Sequence, residues 1–124
     1  MTTYNAATLR HFGSATAAGV LRGANVRRGM AGTCSAGTWV QFDVEFDSAE
    51  HPTCIEAVRF LAFGCPHVIA VADFIAGSSV GYGVRPALPE RLASLQARFD
   101  VPTDKMGRLL IIEDAWIAAL ASPL

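Results

Sequence analysis

Val40, Phe42, Val44 and Phe46 alternate with Gln41, Asp43 and Glu45, a period of two that predicts a half-buried strand over Trp39 to Phe46. A second strand is predicted over Cys54 to Phe63. The polar stretch Asp47 to Thr53, which contains Pro52, supplies the turn between them. A further strand is placed at Ala24 to Ala31, and three strands in succession imply an antiparallel meander. The period then changes. Val68, Val71, Ala72 and Ile75 share one face of a helix predicted over Pro66 to Ser78, and a helix is also predicted over Glu90 to Phe99. Leu109, Ile112, Trp116, Ile117 and Leu120 form the buried stripe of a last helix, with Thr103 as its cap and Glu113 beside the stripe. At the other end Tyr4, Thr8, His11 and Phe12 line one side of a first helix. The small residues from Gly13 to Gly19 then predict a mobile loop, and Gly77 to Pro89 a second break. No repeat or linker interrupts the pattern. The expectation is a single domain over 1–124, of the α+β class, with a small three-stranded antiparallel sheet covered by helices.

Composition supports that reading. A chain of 124 residues, 52% hydrophobic and 17% charged, is of a size and character to build one core. A formal net charge of −1 gives no global attraction to nucleic acid or to an anionic membrane, so neither is expected as a partner. Nine of the ten basic residues are arginine, and Arg22, Arg27 and Arg28 cluster, either as a local docking patch or as charges protecting an edge strand. The N-terminus shows no basic region followed by a long apolar stretch. The longest apolar segments are broken by Asp73, or by Glu113 and Asp114, so a soluble, cytoplasmic protein is expected. Three cysteines, an odd number without a secretory signal, point to reduced thiols used for metal chemistry, sulfur chemistry or packing.

The candidate chemistry centres on Cys65. It follows Arg59-Phe60-Leu61-Ala62-Phe63-Gly64, where a strand hands over to a helix opened by Pro66. Unpaired amides and the helix dipole at such a point favour thiolate, the form that binds metal or attacks sulfur. The competing reading is an inert, buried cysteine packed as a small hydrophobe. Cys34 lies in Gly32-Thr33-Cys34-Ser35-Ala36-Gly37, a turn that brings a side chain to the surface. Cys54 reads as a packing residue, His11 as structural and His51 as a surface residue. Cys65 and His67 as a nucleophile and base would need a geometry that near neighbours in sequence seldom provide. The glycine-rich stretch Gly77 to Gly83 lacks the Lys-Ser/Thr ending of a phosphate-binding loop and reads as a connector.

Phe63-Gly64-Cys65 followed by Ile69-Ala70 resembles the central motif of the iron–sulfur cluster assembly scaffold family, IscU and the N-terminal domain of NifU. The resemblance runs along nearly the whole chain. Tyr4, His11, Phe12 and Gly19 stand at the spacing of the family's N-terminal pattern, Cys34 takes the place of its first cysteine, and Glu113-Asp114-Ala115 matches its C-terminal helix signature. The resemblance implies the same α+β fold, with Cys34 and Cys65 at one end of the molecule. It also implies a non-enzymatic protein that binds iron and sulfur, or an iron–sulfur cluster. Its partners would be a cysteine desulfurase and recipient apoproteins. Cys34 in its glycine-rich loop would be the sulfur acceptor, and Cys65 the fixed thiolate ligand.

The departures shape the expectation further. Ser35 and Ala36 stand where the family carries glycine and an aspartate, Gly107 and Arg108 where it carries a histidine and a third cysteine, and only Pro102 and Lys105 remain of its chaperone-recognition segment. Two thiolates are half the set that a zinc site or a binuclear cluster needs. His67 is the nearest candidate ligand, against a solvated or capping role. Arg108 beside two thiols would favour anions or persulfide over a cation, against an exposed arginine that needs no partner. A homodimer sharing four thiolates would complete the count. Two alternatives stand beside the scaffold: an interaction protein that keeps the docking face but assembles no cluster, and a mononuclear zinc or iron binder.

Overall fold

The computed structural model describes residues 4–85 and 87–121. Helix α1 (Ala6–Gly13) leads through an irregular segment to three strands, β1 (Val26–Thr33), β2 (Thr38–Phe46) and β3 (Ile55–Phe63). Helix α2 (Pro66–Ser79), helix α3 (Leu92–Phe99), a single 3₁₀ turn (Thr103–Lys105) and helix α4 (Met106–Ala121) complete the chain. The strands pair antiparallel in the order β1-β2-β3, with Gly29 opposite Phe42 and Phe42 opposite Phe60. The sheet is therefore the expected meander, and the α+β class holds.

One face of the sheet carries Val40, Phe42, Val44, Val58 and Phe60, all buried, and helices cover it. Helix α4 lies across β1 and β2, and α2 lies against β3. Phe42 meets Trp116 edge to face with ring centroids 5.2 Å apart. Gly29 lets α4 approach closely: a Cβ there would stand 2.1 Å from the amide nitrogen of Ala119. The expected stripe of α4 is buried at Leu109, Ile112, Trp116 and Leu120, while Ile117 is only half-buried because Ala115 and Ala119 turn the contact line toward β1.

Several expectations need correction. Strand β1 begins and ends two residues later than Ala24 to Ala31, and the helix expected from Glu90 begins at Leu92. Thr103 does not cap α4; it opens the 3₁₀ turn that precedes the helix. Gln41 and Asp43, expected on a solvated face, are buried. The cause is the segment after α1. Ala18 forms a parallel bridge to Phe60 at the edge of β3, and the chain then passes over the outer face so that the Leu21 amide donates to Asp43 at 3.0 Å. Arg28 donates to both oxygens of Asp43, at 2.7 and 3.0 Å, and Gln41 adds a bond at 3.3 Å. Four donors thus compensate the buried carboxylate. The loop expected to be mobile is consequently tied along β3.

The arginine cluster divides, because neighbours on a strand point to opposite faces. Arg28 goes to Asp43, while Arg27 lies over the Phe46 ring at 4.9 Å and donates to the Leu120 carbonyl at 3.2 Å. Phe12 is exposed rather than packed, since α1 meets its neighbours through Thr8 and His11. Helix α2 is buried on almost every side, with His67, Ala70, Asp73 and Ala76 inside in addition to the expected face, because α1 covers the side that the sheet does not.

Candidate functional site

Register brings the site together. Gly32 pairs with Trp39 and Trp39 with Phe63, so the β1–β2 turn and the end of β3 lie at the same end of the sheet. Cys34 sits in that turn, exposed, and Cys65 follows Phe63 by two residues. Gly32 takes a left-handed φ of +81°, and a Cβ there would stand 2.9 Å from the Ile111 side chain, so the first turns of α4 belong to this end as well. Those turns carry Arg108, with Lys105 just ahead.

Cys65 is the N-cap of α2, with extended backbone and no side-chain capping bond. Pro66 at the first helical position has no amide to offer, and the Val68 and Ile69 amides reach the Cys65 carbonyl at 3.0 and 3.3 Å. The thiol lies against the first turn of the helix, near the Val68 and His67 amides. Lys105 Nζ is 3.9 Å from the Cys65 sulfur and donates to His67 Nδ1 at 3.3 Å. The His67 ring in turn meets Tyr4 edge to face, centroids 4.8 Å apart, and Lys105 stands 5.8 Å above the Tyr4 ring. Burial alone would push the Cys65 thiol up. The Val68 amide, the Arg108 guanidinium, the His67 amide and the Lys105 ammonium together outweigh it, and the net shift is downward. Burial, then Lys105, with a smaller push from Arg108 and against the pull of Asp100, holds His67 below its ordinary value and favours neutral imidazole.

Cys65, His67 and Arg108 are thus neighbours, with Cys34 on the turn at the same end. His67 is neither solvated nor a cap: it is 2% exposed and its Nδ1 is occupied by Lys105. Arg108 is half-buried beside the thiol. Among the described residues, no three His, Cys, Asp or Glu side chains converge in a way that could hold a metal ion. Cys54 is half-buried at the other end of β3, bridged to Gly83, and His51 is exposed. Sequence reasoning gave no site role to Lys105 or Tyr4. A signal was present in Lys105, the one lysine among ten basic residues.

A three-stranded antiparallel meander under helices, with Cys65, Lys105 and Arg108 together at one end and Cys34 on the turn beside them, defines an α+β protein with a cysteine-centred candidate site. The chain belongs to the NifU-like N terminal domain family, whose profile matches residues 3–122. A comparison with curated protein sequences finds no match. Among solved structures, the chain resembles one described as an iron–sulfur cluster assembly scaffold protein for the SUF system from thermophilic Fervidobacterium islandicum AW-1. The TM-score is 0.72 at 16% identity, over 94% of this chain and 96% of the other. A crystal structure described only as a hypothetical protein is also similar, at a TM-score of 0.51 and 15% identity over 89% and 94% of the two chains. At such identities the likeness is one of fold. None of the described helices is long and apolar enough to cross a membrane.

Proposed function

We propose that this protein is an iron–sulfur cluster assembly scaffold that receives sulfur from a cysteine desulfurase at Cys34 and Cys65 and passes the assembled product to recipient apoproteins. The observation that carries this reading is the placement of the two thiols at one end of the sheet, with Cys65 set between the first turn of α2 and the cations Lys105 and Arg108. In the sulfur-transfer step, the Cys34 thiolate attacks the outer sulfur of a persulfide on the desulfurase. One S–S bond forms as another breaks, and the donor cysteine leaves as thiolate, so no external electron is needed. Cys65 then serves as a fixed thiolate for iron. Reduction of persulfide sulfur to sulfide draws on an external reductant. Each chain brings two of the four thiolates of a binuclear cluster, and a second chain would supply the others.

One observation favours a second reading. Gly107 and Arg108 occupy the positions of two family ligands, and Arg108 and Lys105 surround the thiol with positive charge. That environment suits an anionic persulfide, making the protein a sulfur carrier. Anaerobic reconstitution with iron and sulfide separates the two readings. A stoichiometric chromophore, lost in both Cys34→Ser and Cys65→Ser, supports the scaffold. A protein that stays colourless but gains one sulfane sulfur per chain from a desulfurase is a carrier.

A further inference from the structure

We propose that a cavity of about 290 Å³ on the helical side of the molecule is a binding site for a small phosphate-type oxyanion, distinct from the thiol end. It is lined by Ala6, Ala7, Arg10, His11, Phe74 and Arg98, three basic side chains and no acidic one. The two alanines leave the space open, and the basic groups come from two separate elements, α1 and α3.

Each basic group is held differently. His11 Nδ1 lies 2.7 Å from Asp73 Oδ2, and the ring stands edge-on to Phe74 and Phe99, with centroids 5.7 Å away in each case. Nδ1–H donates to Asp73, so in the neutral ring Nε2 is an acceptor left to a ligand, suited to the O–H of a protonated phosphate oxygen. Asp73 cannot swing away, because it is only 5% exposed and its other oxygen accepts the Ala17 amide at 3.0 Å. Arg98 lies flat over Phe74, 4.7 Å from the ring centroid, and donates to Glu90 through Nε and one terminal nitrogen. Its other terminal nitrogen remains. Arg10 stands on the exposed side of α1, and no carboxylate among the described residues pairs with it. The nearby acids, Asp73 and Glu90, are already engaged, so the cavity presents the free guanidinium N–H groups of Arg10 and Arg98 as donors and His11 Nε2 as an acceptor.

Guanidinium groups match the oxygen spacing of phosphate, and an imidazole fixed by a carboxylate adds a directed contact at little ordering cost. The volume suits inorganic phosphate or a phosphomonoester with a short organic group. Neither the thiols nor the scaffold reading enters this argument.

The test is a titration of the intact protein with inorganic phosphate against sodium chloride at matched ionic strength, followed by NMR of the His11 ring and α1 amides and by thermal melting. Saturable shifts at His11, with a raised melting temperature that chloride does not reproduce, are expected. Arg10→Gln, at an exposed position that leaves the fold intact, should weaken phosphate at least about tenfold. Glu90→Gln, which releases Arg98, should tighten it severalfold. Glycerol phosphate binding more tightly than phosphate would identify a phosphomonoester as the ligand, and the reverse order would identify the inorganic ion. Non-saturable shifts equal to those with chloride, or unchanged affinity in a natively folded Arg10→Gln, would overturn the proposal.

Discussion

Strand β3 has a cysteine just beyond each end, and the two have opposite surroundings. Cys65, past the C-terminal end, faces helix amides and the cations Lys105 and Arg108, and its thiol is shifted down. Cys54, before the N-terminal end, is pushed up, first by partial burial and then by Asp47 and Glu56. The residue type and strand are the same. What differs is the sign of the charge that the fold delivers. At the Cys65 end, loops and helix starts converge on the thiol. At the Cys54 end, Asp47 folds back on the turn, accepting the Thr53 hydroxyl and the Thr53 and Cys54 amides, the latter at 2.8 and 3.2 Å. A cysteine becomes a candidate site through its neighbours, and here one strand supplies a candidate and its own control.

The largest expected effect is all-or-none. Cys54→Ser should leave reconstitution with iron and sulfide unchanged, whereas Cys65→Ser should abolish the chromophore; the opposite pattern, read by visible absorbance and iron content, would break the comparison. Next comes reactivity. Alkylation by iodoacetamide, followed peptide by peptide by mass spectrometry, should show its pH midpoint below the ordinary thiol value at Cys65 and above it at Cys54. Since each pKa unit is a tenfold change in thiolate, Lys105→Met combined with Arg108→Gln should slow Cys65 at neutral pH by up to about tenfold without altering Cys54. Equal slowing at both would mean a general loosening of the fold instead of a local field.

The same two ends show how much the sequence discloses. Strand β2 was legible because apolar and polar residues alternate, whereas β1, with Gly29, Ala31 and Gly32, has little alternation to fix its boundaries. The burial of Gln41 and Asp43 was not legible, since it depends on a distant segment crossing the sheet and donating through Leu21. Motif spacing marked Cys34, Cys65 and Arg108. The stack of Tyr4, His67 and Lys105 was hidden because its members come from the approach to α1, from α2 and from the 3₁₀ turn. Local pattern predicts elements. It does not predict which side chains from distant elements will share one low-dielectric corner.

Two smaller effects use acidity to probe each end. Asp47 is held at about 2 by the Thr53 hydroxyl, then by the Thr53 and Cys54 amides, against an ordinary value of 3.8. A lowered carboxylate contributes stability that is present above its unfolded value and is lost as pH falls toward 2. Asp47→Asn should therefore flatten the acid limb of the melting curve between about pH 4 and 2, and should also lower the alkylation midpoint of Cys54.

His67 gives the smallest and most local signal. Its pKa is lowered by burial and by Lys105, so the neutral ring contributes stability that is complete above the unfolded value of 6.5 and declines as pH falls through the lower folded value. His67→Phe keeps an aromatic ring against Tyr4 and cannot titrate, so it should lose this decline. Lys105→Met removes a charge that opposes protonation, so the folded value rises toward 6.5 and the decline should become smaller and end at higher pH. Thermal melts of the three proteins from pH 7 down to about 5 check both directions at once. If Lys105→Met moved the decline to lower pH, the contact between Lys105 and His67 would not be setting the charge at the thiol end.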